Sequence, residues 1–571
     1  MAFQLSPGVL VTERDLTDVV PAVATTAGGF AGHFNWGPVN QVVVVDNEKT
    51  LVSTHGKPDA DTAVSFYTAA NFLGYGNNLQ VVRAHADGHL NATAAGGPGS
   101  NNISKAAIYI KNIDDYTGNA GIFAADTFAN VGMFAAKYPG TLGNSLKVSV
   151  ADANTWSSWE YKAQFDSAPG TSDYISQRGG YHDEMHVIVI DEDGVISGTP
   201  GTVLEKFDFL SKANNARKVD GSTGYYVDAL RDQSSWIWPI AHPNSTMATV
   251  ANWGTASNTY GNLNSNITAS FRLGALGTPS SSNVISAYDE FLKDGLYDVS
   301  LIPLGGASNT VIEHVVENIC ELRKDCIAFF SPELSDVLNQ TSSTAATNVT
   351  DYRDNVNINS SYAVMDSGWK YQYDRYNDTY RWIPLNGDVA GLCARTDFVA
   401  DPWFSPAGYN RGVIKNVVKL AYSPTQTDRD NLYKKGVNPV VSFPGQGTVL
   451  FGDKTQLAKP SAFDRINVRR LFIVLEKAIA TAAKYQLFEF NDAFTRAQFR
   501  NLVEPFLRDV QGRRGITDFK VVCDESNNTG EVIDRNEFVA DIFIKPARSI
   551  NFITLNFVAA RTGIAFEEVG A

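Results

Sequence analysis

Two pairs of histidines are the first residues whose spacing could do chemistry. His85 and His89 in HADGH, and His182 and His186 in YHDEMH, each stand four apart. At that spacing two imidazoles on one helix face can hold a metal ion. Neither context is helical: His186 leads into the β-branched run VIVI, and HADG opens a glycine-rich loop. Both pairs therefore read as exposed loop histidines. DEDG at 191–194 begins like a calcium loop, but no Glu stands at the twelfth position of that frame, and a hairpin turn is the simpler reading. GDKT at 452–455 carries Lys-Thr without the G-x-x-x-x-G-K frame that cradles phosphates. No G-x-S-x-G elbow is present, and no Ser or Cys has the setting of a nucleophile. Among 61 carboxylates, a glycosidase pair cannot be picked out by spacing. The residues point away from catalysis, and neither a cofactor nor a metal is expected.

A chain of 571 residues is long enough for three to four domains at about 150 residues each. The composition is that of a foldable globular protein, 44% hydrophobic, 11% aromatic and 19% charged. A formal net charge of −14 argues against general nucleic-acid binding. No apolar run approaches the ~18 residues of a membrane span, so no direct membrane insertion is expected. MAFQLSPGVLVTERD has neither a basic n-region nor an apolar h-region. Cys320, Cys326, Cys393 and Cys523 show no C-x-x-C spacing and read as buried thiols of a protein made in a reducing cytoplasm.

Along the chain, Pro7 and Pro21 bracket GVLVTERDLTDVV, an extended arm too short to fold alone. It pairs either with another copy's strand or with its own first domain. From Thr25 to Ala86 strands and a helix alternate: a strand in FAGHFNWGP, a short buried strand at 41–45, a helix at 61–73 and a strand at 79–84. The stretch 87–137 begins Gly-, Ala- and Asn-rich, as a loop into an insertion would. A second α/β or α+β region runs from Tyr138 to about Ser331. It holds a hairpin at 186–190 turning on DEDG, helices at 204–212, 287–292 and 309–323, and strands at 299–304 and 326–330. Residues 333–460 are dense in aromatics, among them Trp369, Tyr371, Tyr373, Tyr376, Tyr380 and Trp382, which suit a contact surface as well as a core. Helices are expected there at 389–395 and 426–435.

Helices are again expected at 463–488 and around 495–508. Across 463–515 ten basic residues stand against six acidic ones in an otherwise acidic chain. This is either a solvated helix face or a docking surface for an acidic partner. Three β-rich runs follow, at 519–523, 537–544 and 550–558. In the last, Ile553, Leu555 and Phe557 fall on one face while Ile550, Phe552 and Val558 fall on the other. A strand apolar on both faces needs covering on both, in its own sheet or in a neighbour's.

Several longer motifs are more specific: SPGVLVTE (6–13), FNWGP (34–38), NFLGYGNNLQVVRA (71–84), YPGTLGN (138–144) and YQYDRYNDTYRWIPLNGDVAGLCARTD (371–397). WFSPAGYNRG (403–412), LFGDKT (450–455), PSAFDRINVRRL (460–471) and VIDRNEFVADIFIKPARSINFITLNFVA (532–559) complete the set. With these the chain resembles the contractile tail sheath proteins of large myovirus-type bacteriophages. The fold class this implies is α/β and α+β multidomain. A sheath core would be built from N- and C-terminal parts, with α/β and β-rich domains inserted between them and extended arms at both ends. The resemblance divides the chain into an arm at 1–23, a first core part at 24–86, a short outer insertion or linker at 87–137 and an outward-facing middle domain at 138–335. A second core part at 336–460, a tube-facing C-terminal domain at 461–548 and a terminal strand at 549–571 follow.

The resemblance also implies a role. Such a protein is a virion structural part and not an enzyme, assembled in the host cytoplasm as stacked six-membered rings around a tail tube. It contracts from a metastable extended state to drive the tube through the host envelope for genome delivery. The partners would be other copies of itself, the tail tube protein, and baseplate and tail terminator proteins, with no nucleic acid. Val9, Leu10, Val11, Thr12 and Glu13 of the first arm, and Ile550, Phe552, Ile553, Leu555 and Phe557 of the last, would add strands to neighbouring copies. Arg469, Arg470, Lys477, Lys484, Arg496, Arg500 and Arg508 are the candidates for facing the tube. The sheath of a contractile bacteriocin is a close variant, disfavoured by the long middle insertion. The contrasting reading is a carbohydrate-active enzyme or adhesin whose β domains are lined by the aromatics at 369–382.

Overall fold

The computed structural model describes residues 25–94, 108–118, 132–243, 252–256, 259–293, 295–551 and 554. The arm residues Val9–Glu13 and the strand residues Phe552, Ile553, Leu555 and Phe557 lie outside the described residues. The chain forms two compact units, one of residues 24–399 and 406–460, the other containing 400–405 and 461 onward.

Five short runs in the larger unit, GGFAG, LQVVR, LIP, IAFF and AVMD, have every residue buried. Strands covered on both faces are what a parallel sheet requires. They form the middle of a seven-stranded sheet in the order Val437–Asn438, Ala363–Asp366, Ile327–Phe330, Leu301–Pro303, Gly28–Gly32, Leu79–Arg83, Val42–Val45. All neighbours pair parallel except the last, which runs antiparallel. The run at 41–45, expected to be buried, is thus an edge strand with Val44 63% exposed, because only one side of it has a neighbour.

Helices cover the sheet. Ala287, Tyr288, Ile312, Val315, Val349 and Tyr352 from the helical stretches 281–288, 309–323 and 342–356 share one core with Ala31, Val82, Ile302 and Phe330 of the strands. The stretch 309–323 widens to a π-helix at Val315–Cys320. Phe72, from helix Ala63–Leu73, lies over Gly28. That helix packs closely on Asn386–Val399, where a Cβ at Gly387 would stand 2.5 Å from the Thr68 carbonyl oxygen, so only glycine fits.

A second seven-stranded sheet, antiparallel throughout, is ordered Thr202–Ser211, Glu184–Asp191, Leu146–Asp152, Ile267–Arg272, Thr93–Ala94, Phe134–Ala136, Ile237–Pro239. Its first strand corrects the helix expected at 204–212. Two register shifts against Glu184–Asp191 let Leu204, Phe207 and Leu210, three apart, all reach the same core, which mimics helical spacing in the sequence. The hairpin does not turn on DEDG alone, since its second strand begins only at Thr202. This sheet takes strands from both sides of residue 137. Leu301–Pro303 and Ile327–Phe330 belong to the parallel sheet with residues 28–83.

The smaller unit holds helices Ile466–Ala483 and Ala493–Gly512 and the hairpin of Ile516–Val522 with Asp541–Pro546. Leu471, Leu475, Phe499, Val503, Leu507, Ile516, Cys523 and Trp403 make its core. Asp492 caps the second helix, its carboxylate accepting from the Thr495 N–H at 2.8 Å. The expected strand at 537–544 begins at Asp541. Phe538 instead packs edge-on against Phe499, and the Asn528 side chain takes both backbone groups of Val539.

Candidate functional site

Among the described residues no group of three or more His, Cys, Asp or Glu side chains could hold a metal ion. Nor are the four paired histidines all exposed. His186 is fully buried in the strand Glu184–Asp191, its ring stacked on Phe165 with centroids 4.4 Å apart. Its Nδ1 accepts from the Phe209 N–H, which leaves Nε2–H to donate to the Ser167 carbonyl, a fully satisfied neutral ring. His89 is 2% exposed because it is packed with His33, His85 and Tyr109 near the buried Arg83. Burial and the neighbouring guanidinium push it down to about 3.

The other motifs are also used internally. Asp191 of DEDG is buried and accepts from Ser145 Oγ, the Ile196 and Ser197 N–H groups and Ser197 Oγ, ordering the connection to the next strand. Burial alone would raise this carboxyl, but the hydrogen bonds outweigh it and hold it below the usual range. Lys454 of GDKT donates from Nζ to the Tyr433 carbonyl at 2.7 Å and lies over that ring.

In an open α/β sheet the place to look for a ligand is beyond the carboxyl ends of the strands, where strand order reverses. Here that point falls between Gly28–Gly32 and Leu301–Pro303, and the chain fills it. Asn386 Nδ2 donates to the Gly305 carbonyl and to Ser331 Oγ, and its Oδ1 accepts the Gly305 N–H at 2.9 Å. A Cβ at Gly305 would lie 3.3 Å from Phe30 and 3.4 Å from Thr68. Ser331 in turn donates to Asp366, at the end of the next strand, whose carboxyl burial pushes up to about 8. The crevice is a closed polar joint.

The smaller unit presents open surface of a different kind. The strands Ile516–Val522 and Asp541–Pro546 pair only with each other among the described residues, so each has one edge that no described strand covers. A two-stranded hairpin with free edges is marginal alone and is a template for further strands. Ile550, just past it, is 81% exposed.

The basic residues divide into two sets. Lys484 and Arg508 are exposed, and Lys477 and Arg500 partly so. Arg469, Arg470 and Arg496 are only 4%, 3% and 6% exposed, which corrects their reading as surface charges. Arg469 lies over the Phe463 ring and reaches Glu476 at 3.1 Å, and Arg496 donates to Asn491 Oδ1. Spacing on a helix does not separate an arginine that snorkels outward from one whose stem and fork are both packed.

Sequence reasoning missed the apolar turn between the two helices, where Leu487, Phe488 and Phe490 are exposed, as is Phe494 in the first turn of the second helix. The run of four large apolar residues beside a helix end was the available signal. In the aromatic region, Tyr371 stacks on Tyr380 and packs on Trp382 with Lys419 above both, so much of the ring surface is spent within the chain.

Three family models match the chain. They are the N-terminal region of tail sheath protein Gp18 domain III at residues 26–84, the phage tail sheath protein central domain at 282–456 and the phage tail sheath C-terminal domain at 458–560. The tail sheath proteins of Vibrio phage KVP40 and Enterobacteria phage T4 are 35% and 33% identical to it, each comparison covering 99% of both chains. The solved sheath tail protein of Listeria innocua shares the fold at 11% identity, with a TM-score of 0.53 over 92% of this chain and 96% of that one.

Proposed function

The chain belongs to the phage tail sheath protein family, and from that premise we propose that it is the structural subunit of a contractile phage tail sheath. Copies stack as six-membered rings around the tail tube and contract to drive the tube through the host envelope for genome delivery. The observation that carries this reading is identity of about a third sustained from end to end with named tail sheath proteins. The aromatic-lined enzyme reading has no such support: residues 369–382 lie inside the stretch matched by the sheath central domain.

The hairpin edges that no described strand covers give the reading a physical means of assembly. Strands contributed by neighbouring copies, from Val9–Glu13 and from the run through Ile550, Phe552, Ile553, Leu555 and Phe557, would complete the sheet by backbone hydrogen bonding. Such added strands act as hinges between rigid units. Exposed Lys484 and Arg508, and partly exposed Lys477 and Arg500, are the charges that would meet an acidic tube surface. Arg469, Arg470 and Arg496 instead hold their own unit together. The remaining partners are the baseplate and tail terminator proteins, and the subunit assembles in the bacterial cytoplasm before it forms part of the virion tail.

Negative-stain microscopy of the purified chain with tail tubes tests this. The expected result is tubes jacketed by rings with six-fold end views, and naked tubes beside small closed oligomers would contradict it. Deleting residues 1–20 should leave a folded chain that no longer jackets tubes.

A further inference from the structure

From the turn between helices Ile466–Ala483 and Ala493–Gly512 into the start of the second helix, the chain points its large apolar side chains outward. Leu487, Phe488, Phe490 and Phe494 are 62%, 104%, 83% and 76% exposed. The turn is nevertheless firmly built. The Leu487 N–H donates to the Lys484 carbonyl, the Glu489 N–H to Gln486 and the Asp492 N–H to Phe490. Asn491 Nδ2 ties the turn to the Glu537 carbonyl at 2.8 Å and to Asn528 Oδ1 at 3.1 Å. At the apex Phe488 has φ +71°, a left-handed conformation that is strained for a bulky residue. A strained and wholly exposed phenylalanine on a hydrogen-bonded turn is an anchor whose ordering cost is already met before it binds.

The larger unit carries a surface of matching chemistry. Tyr409, Phe443 and Phe451 stand with ring centroids 5.3 to 6.2 Å apart, and Tyr409 and Phe451 are 48% and 43% exposed. The Arg429 guanidinium lies 5.8 Å from the Phe443 ring and 5.9 Å from Phe451. It donates to the Pro424 carbonyl and has no carboxylate partner among the described residues. The apolar apex carries the opposite charge, the exposed Glu489 between Phe488 and Phe490.

We propose that the Phe488 apex of one copy seats on the Tyr409–Phe443–Phe451 cluster of a second copy, with the Glu489 carboxylate meeting Arg429. A knob and its receptor at different places on one polypeptide make a head-to-tail contact, which repeats along an assembly without closing between two copies. The inference rests on the sheath reading and assigns it one lateral contact.

A photo-crosslinking phenylalanine analogue at position 488, in sheathed tails, tests the contact directly. The expected product is a dimer of this chain whose joined peptides contain position 488 and a residue from 409–451 of the other copy. Crosslinks to tube protein, to another stretch of this chain, or none at all would overturn it. A charge exchange tests the same contact without the analogue. Glu489→Arg and Arg429→Glu should each lower the yield of sheathed tails by about tenfold, and the combination should restore most of it. Single variants of normal yield, or a combination no better than either single, would also overturn it. Wild-type tails whose jacket lacks this chain would instead sink the sheath reading itself.

Discussion

Arg83 is fully buried, and its Nη2 donates to the Pro139 carbonyl at 2.8 Å, tying the end of a parallel-sheet strand to the link between two strands of the antiparallel sheet, Phe134–Ala136 and Leu146–Asp152. Nη1 donates to the Gly37 carbonyl at 2.9 Å. The neighbouring Gly140 has φ +139°, and a Cβ there would lie 2.6 Å from the Asn35 carbonyl oxygen, so the chain passes this joint with no room to spare. A guanidinium fork reaching two carbonyls from two segments fixes how one sheet leaves the other.

Arg83→Leu should therefore destabilise the larger unit by about 3–5 kcal/mol, since two buried carbonyls lose a charged donor. Arg83→Lys should recover little, because a single ammonium does not reproduce the fork. Urea denaturation of the two variants checks both statements.

The histidines around this joint give the protein an acid limit. Burial, then the Arg83 charge, push His55 down to about 3, and burial, Arg83 and the neighbouring rings do the same to His89. The unfolded chain binds protons at these sites near pH 6.5 while the folded chain does not. The histidines' contribution to stability is thus full above about pH 6.5 and is lost as the pH drops toward 3. His55→Phe keeps the ring packed against Phe34 and removes the titration, so its stability profile should be flatter over that window. Asp366 has the opposite sign. Its carboxyl is raised to about 8 by burial, so the folded state holds a proton that the unfolded state has lost, and stability falls as pH rises between about 4 and 8. Asp366→Asn should flatten that limb.

Lys370 and Asp388 form a buried ion pair at 2.9 Å, with Tyr75 donating to the same carboxylate and Lys370 also reaching the Lys415 carbonyl. Lys370→Met should cost about 3–5 kcal/mol by stranding the carboxylate. Combining it with Asp388→Leu should cost less than the two single changes added, and the coupling read from a thermal-denaturation cycle measures the pair.

The exposed and buried arginines should separate by phenotype. Lys484→Glu with Arg508→Glu should leave folding unchanged and weaken cosedimentation with tail tubes, most visibly at low salt. Arg470→Glu or Arg496→Glu should instead lower the melting temperature of the chain.

Much of the α/β architecture was legible because a buried parallel strand such as IAFF announces itself as a short apolar run, with helices bearing apolar stripes on either side, whereas the equally buried AVMD was passed over beside the aromatic-rich stretch. The helices at 63–73, 309–323, 426–434 and 466–483 lie close to where periodicity placed them. Thr202–Ser211 was misread because two bulges rotate its core side chains into a three-residue spacing. Pairing across residue 137 was hidden because Thr93–Ala94 and Phe134–Ala136 are too short to show a period. At the surface the positive excess of 463–515 was readable as a sum. Which arginines are free was not, because Arg469 and Arg496 are held by Phe463, Glu476 and Asn491 in ways set by tertiary packing. The Phe488 apex escaped notice because exposure of a hydrophobic run cannot be told from burial without the fold.

The most direct test of the central claim is cryo-electron microscopy of intact tails before and after triggered contraction, at a resolution that traces this chain. The account predicts a six-fold helical jacket made of this chain around the tube, shorter and wider after triggering, with the fold of each unit preserved in both states. A jacket formed by another protein, or one whose length does not change on triggering, would contradict it.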